Sequence, residues 1–138
     1  MNTQPNHTVL IISDDSAAAA TREMLFRERN CAVLTEPSAD HAIKAAHLLS
    51  PSLLILDLKL PHHERVSLCQ KLRPVTNGRI LVLSPGDDQQ RIYEYYLAGV
   101  DEHLSTPLSP LLLVVKSIAW LMRNDWMDIP TQPGRLYS

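Results

Sequence analysis

Short, continuous apolar runs recur along the chain and alternate with longer stretches of mixed character. Residues 8–13 carry Val9-Leu10-Ile11-Ile12, a run too short for a helix and suited to a strand covered on both faces. Residues 16–29 follow with alanines, Met24, Leu25 and interspersed charges, which predicts a helix. Residues 31–35 form a second short run, and Pro37-Ser38 opens a helix through Leu49 with Ala42, Ile43 and Ala46 on one face. The pattern then repeats. Residues 53–57 predict a buried strand, 66–72 a helix that ends before Pro74, and Asn77-Gly78 a turn. Residues 79–84 and 102–105 predict strands, and 88–98 and 110–124 predict helices. Strands alternating with helices over short connections imply an α/β fold with a doubly wound parallel sheet. Residues 1–124 form one domain by this reading. Residues 125–138, with Pro130, Pro133 and Gly134, read as a tail or the start of a linker to an effector domain.

Composition narrows the classes. Thirteen basic and fifteen acidic side chains give a formal charge of −2, without the positive excess that nucleic-acid binding by this segment would need. No apolar run reaches the roughly 18 residues of a membrane span. Cys31 and Cys69 lack metal-ligand spacing and read as reduced thiols in a cytoplasmic protein.

In doubly wound sheets, ligands sit at the carboxyl ends of the strands, near the reversal of strand order. The residues there are Ser13-Asp14-Asp15, Asp57, Ser84 and Ser105-Thr106-Pro107. Carboxylates gathered in one crevice favour a hard cation such as Mg²⁺.

Four of these segments together resemble the receiver domain of bacterial two-component response regulators. They are Val9 to Asp15, Leu54-Ile55-Leu56-Asp57-Leu58-Lys59-Leu60-Pro61, Ile80-Leu81-Val82-Leu83-Ser84, and Ala98 through Pro107. The resemblance runs from about Thr8 to Arg123 and implies a five-stranded flavodoxin-like (CheY-like) sheet with five helices. It places Asp57 at the family's phosphoacceptor, Asp14 beside it as a direct metal ligand, and the backbone carbonyl of Lys59 as a further ligand. Ser84 matches the switch hydroxyl, and His103 replaces the aromatic residue that packs differently in the two signalling states.

Departures from the family pattern cluster around Asp57. Ser13 stands at the first position of the acidic pair, while Asp15 points toward the first helix. The family's lysine before the strand-five proline, Pro107, is Thr106 here, and Pro85 has no N–H to offer a phosphoryl group. A hydrogen bond to a charged group contributes about 1.5–3 kcal/mol, so losing two such donors weakens phosphoryl stabilisation by a factor of hundreds if the effects add. The implied protein is an atypical, non-enzymatic receiver, or pseudo-receiver. Asp57 then sits in an acidic pocket with Asp14 and Ser13, no cofactor is required, and Mg²⁺ binds weakly if at all. The alternative is a conventional receiver modified at Asp57 by a histidine kinase. The Lys59 ammonium could neutralise the pocket by swinging toward Asp14 and Asp57, although a solvent-facing Lys59 is the simpler expectation.

The last helix carries two apolar stripes: Pro110, Val114, Ser117 and Leu121, expected against the sheet, and Leu111, Val115, Ile118 and Met122. The second stripe suggests a homodimer or protein-partner interface along the last helix and fifth strand, with Arg91, Asp101, Glu102 and Lys116 as polar rim. Trp126, Met127 and Ile129 could instead fold back over it. His62-His63-Glu64 reads as exposed loop rather than a metal site, and Cys69 as core packing. Transcription regulation is the expected output.

Overall fold

A computed structural model describes residues 4–86 and 88–127, with side chains through Arg123. Its strands are β1 (His7–Ser13), β2 (Cys31–Glu36), β3 (Leu53–Asp57), β4 (Arg79–Pro85) and β5 (Glu102–Thr106). The helices between and after them are α1 (Ser16–Arg27), α2 (Ala39–Leu49), α3 (His62–Leu72), α4 (Gln89–Leu97) and α5 (Pro110–Met127). The strands form one parallel sheet in the order β2-β1-β3-β4-β5. Strand order reverses beside β1, and the register pairs Ser13 with Asp57 at the carboxyl ends.

The continuous apolar runs are explained by two buried faces. Leu10, Ile12, Leu54, Leu56, Ile80 and Val82 point to one side, where Ala42, Ala46, Leu68 and Leu72 meet them. Val9, Ile11, Leu53, Ile55, Leu81 and Leu83 point to the other, against Phe26, Val114 and Leu121. Each fully buried aliphatic side chain contributes about 1.5–3 kcal/mol of transfer free energy. Cys69 is fully buried, as expected of packing, and burial pushes its thiol pKa up to about 12.

Local chemistry sets the helix starts. The Asp15 carboxylate accepts from Ala18 N–H at 3.0 Å and caps α1. Ser38 and Asp88 cap α2 and α4 in the same way. At the amino-terminal ends of β4 and β5, Arg73 donates to the carbonyls of Thr76 (2.9 Å), Gly78 (2.6 Å) and Gly99 (3.1 Å) and to Asp101 (3.2 Å). Gly99 has φ +102°, and a Cβ there would lie 2.6 Å from the Arg73 side chain. Glycine is required on both counts.

Two helices differ from their sequence-based limits. α3 begins at His62 rather than Val66, so His62 and Glu64 are helical. α5 continues three residues past Asn124 to Met127. The expected fold-back of Trp126, Met127 and Ile129 lies outside the described side chains.

Candidate functional site

Two loops meet at the carboxyl ends of β1 and β3. Ser13 is buried, and its Oγ accepts from Asp15 N–H at 3.1 Å, which folds the β1–α1 loop back on itself. The Asp14 carboxylate accepts from the backbone N–H of Lys59 at 3.1 Å and so ties this loop to the one after β3. Asp57 stands between them with its side chain 26% exposed.

The group facing Asp57 is one that the motif reading did not single out. Arg22 reaches inward from α1 and donates from Nη1 to Asp57 Oδ2 at 2.7 Å. Its side chain is 9% exposed, and its Nε is buried without a hydrogen-bond partner among the described residues. Ala19, Arg22 and Phe26 are the buried residues of α1, so Arg22 occupies the core stripe of the helix. A charge inside that i, i+3, i+7 stripe is a sequence signal that could have found it. Lys59 is exposed, and the pocket's cation is the guanidinium.

The donor set is poor for a divalent metal. Mg²⁺ demands near-octahedral oxygen coordination, whereas Asp57 Oδ2 already faces a guanidinium and Ser13 supplies a hydroxyl in place of a carboxylate. Among the described residues, no group of three or more His, Cys, Asp or Glu side chains could hold a metal ion.

A second cluster lies beyond β4. The Ser84 hydroxyl is 2.7 Å from His103 Nε2, and the His103 ring stacks on Tyr95 with centroids 5.5 Å apart and an interplanar angle of 11°. Tyr95 is 1% exposed, and its hydroxyl accepts from Arg65 Nη1 at 2.9 Å. His62 meets the Tyr95 ring edge-on at 5.1 Å and lies 2.6 Å from Glu94 through Nε2. His62 is thus a half-buried helical residue joining α3 to α4, not part of an exposed loop, because Glu94 and Tyr95 give its polar atoms partners. Burial, followed by the nearby Arg65 charge, lowers the His103 pKa below 6.5. The hydrogen bond from His62 leads the causes that lower the Glu94 pKa below 4.5.

The remaining site residues fall as follows. Pro85 is exposed at the end of β4, and Thr106 precedes a cis bond to Pro107. On α5, Leu111, Val115 and Met122 are exposed, whereas Ile118 packs partly into the core. Val114, Ser117 and Leu121 are buried as expected, but Pro110 is exposed. Asp101 is committed within the fold: it accepts from Ile80 N–H at 2.8 Å and pairs with Arg73 and Arg79.

The family model described as the response regulator receiver domain matches residues 9–117. The chain belongs to this family. The receiver domain is 27% identical over 117 residues to the DNA-binding response regulator MtrA of Mycolicibacterium paratuberculosis, and the match covers 85% of this chain and 52% of that protein. MtrA of Mycobacterium leprae matches to the same extent. The chain thus spans about half the length of the curated relatives it matches. Among solved structures, a putative response regulator from Chloroflexus aurantiacus is 29% identical with a TM-score of 0.71, covering 84% of this chain and 98% of that one. A CheY-like receiver domain from Methanospirillum hungatei superposes with a TM-score of 0.77 at 19% identity, covering 87% and 97%, and supports the fold alone. Receiver domains are signalling domains of two-component systems, generally not enzymes. No helix of the described residues is long and apolar enough to cross a membrane.

Proposed function

We propose that this receiver domain is an atypical one, which regulates its output through protein contacts with weak or no dependence on phosphorylation of Asp57. One observation carries the proposal: the Arg22 guanidinium sits 2.7 Å from Asp57 Oδ2. An internal cation there neutralises the acceptor before any phosphoryl group or Mg²⁺ arrives, and it repels the metal that acyl-phosphate chemistry requires. The missing donors at Thr106 and Pro85 act in the same direction. On this reading no cofactor is needed, and Mg²⁺ binds weakly at most.

We extend the proposal to output. The relatives named DNA-binding response regulators are about twice as long as this match, which supports transcription regulation through an effector region. The exposed Leu111, Val115 and Met122 support a homodimer or protein-partner contact along α5.

A second reading stays open because a guanidinium also suits phosphate recognition. In a conventional receiver modified by a histidine kinase, Arg22 would turn from Asp57 to the phosphoryl oxygens. Mass spectrometry after treatment with acetyl phosphate and Mg²⁺ separates the two. The atypical receiver gives substoichiometric modification of Asp57 that Arg22→Ala does not reduce. Stoichiometric modification of the wild type, diminished by Arg22→Ala, establishes the conventional one.

A further inference from the structure

We propose that His103 is a proton-operated latch: neutral, its ring bridges Ser84 on β4 and Tyr95 on α4, and protonated, it releases both and reshapes the α4–β5 face. The proposal concerns the output side of the sheet and involves no phosphoryl chemistry, so its failure would leave the Asp57 reading untouched.

The groups around the ring decide the direction. Ser84 Oγ lies 2.7 Å from Nε2 on the β4 side. From α4, the Tyr95 ring stacks on the imidazole, and the Tyr96 hydroxyl accepts from the backbone N–H of His103 at 3.1 Å. From α3, Arg65 holds the Tyr95 hydroxyl at 2.9 Å, while His62 is engaged with Glu94 at 2.6 Å. Asp88 and Arg91 line the same pocket from the start of α4, and the Asp88 carboxylate accepts from the backbone N–H groups of Gln90 and Arg91. No carboxylate hydrogen-bonds to the His103 ring among the described residues, so an imidazolium formed there has a nearby guanidinium and no counter-charge of its own.

Stacking on a tyrosine face attracts cations in general. Here the Tyr95 hydroxyl already accepts from a guanidinium, which draws electron density from the ring and weakens its face toward a second cation. Burial disfavours the charged ring as well. The outlet is at hand: the ring borders a pocket of about 580 Å³, into which a charged imidazole can turn and be hydrated. Turning out breaks the Ser84 contact and the Tyr95 stack together, because both depend on one ring position. The exposed Tyr96, whose hydroxyl accepts from the His103 backbone N–H, registers the change at the surface.

Proton NMR of the wild-type chain from about pH 8 to about pH 5 tests the latch. The His103 ring resonances should titrate with a midpoint below 6.5, and the amides of Tyr96 and Ser84 should shift with the same midpoint. The coupled shifts should survive in His62→Gln, vanish in His103→Phe, and move to higher pH in Arg65→Met. A His103 that stays neutral to about pH 5 overturns the proposal. So do amide shifts that persist in His103→Phe, or a titrating His103 to which Tyr96 and Ser84 are indifferent.

Discussion

The side chains of Arg22 and Asp57 meet water unequally, at 9% and 26% exposure, and this asymmetry predicts how each responds to loss of the other. Replacing Asp57 by Ala strands a buried guanidinium whose Nε already lacks a partner among the described residues. Breaking a buried pair costs on the order of 3 kcal/mol when the remaining charge cannot reach water. Replacing Arg22 by Met leaves a carboxylate that can hydrate, and the apolar side chain suits the stripe between Ala19 and Phe26; the expected cost is below about 1 kcal/mol. Urea unfolding of the two variants checks this order, and equal losses would refute it. Asp57, Asp14, Ser13 and Ser84 were visible in the sequence because loop acids and hydroxyls at strand ends form a recognisable pattern. Arg22 was not, since the motif reading follows loops while this residue hides in a helix. Tyr95 was equally hidden: nothing in its local sequence says that Arg65, His62 and His103, from two other elements, converge on it.

At the scale of elements, the strands were readable because each had to be apolar on both faces. Their limits lie within a few residues of those the pattern implied. The start of α3 was obscured for the opposite reason. Its first turn carries His62, Glu64 and Arg65, and the face it presents to α4 is bound by polar contacts rather than an apolar stripe. Periodicity detects burial of hydrocarbon and misses a hydrogen-bonded seam. α5 shows both stripes, but Ile118 belongs to the core side, so the test of the interface must avoid it. Val115→Glu combined with Met122→Glu places charge on exposed positions only. Sedimentation of the double variant should show a lower association state than the wild type, and no change would remove the dimer.

Across the whole molecule, the shifted groups predict a stability plateau with a defined lower edge. His103 has a folded pKa lowered from 6.5 by burial and then by Arg65. The native state therefore binds fewer protons than the unfolded chain below 6.5, and stability present above that pH declines as pH falls through the folded value. Glu94, lowered from 4.5 chiefly by its His62 hydrogen bond, adds a second loss below 4.5. At the alkaline end, Cys69 is raised from 9.0 to about 12 by burial, so its contribution is complete below 9.0 and lost as pH rises from there toward about 12. Urea midpoints should hold between about pH 7 and pH 9 and drop by pH 6, with the first drop absent in His103→Phe.

The Arg73 cluster gives α4 two unlike ends. Near Leu97 the chain is bolted through Gly99 and Asp101 to a guanidinium that also grips Thr76 and Gly78. Toward Gln89, α4 is steadied by its Asp88 cap, with the histidine contacts of Glu94 and Tyr95 between. A helix held in this way behaves as a lever with its fulcrum at the carboxyl end. Any loosening of the His103 contact is then read out as angle rather than displacement, small at Leu97 and largest at Gln89. A partner protein gripping the amino-terminal turn of α4 would gain the most mechanical leverage from a change of one proton.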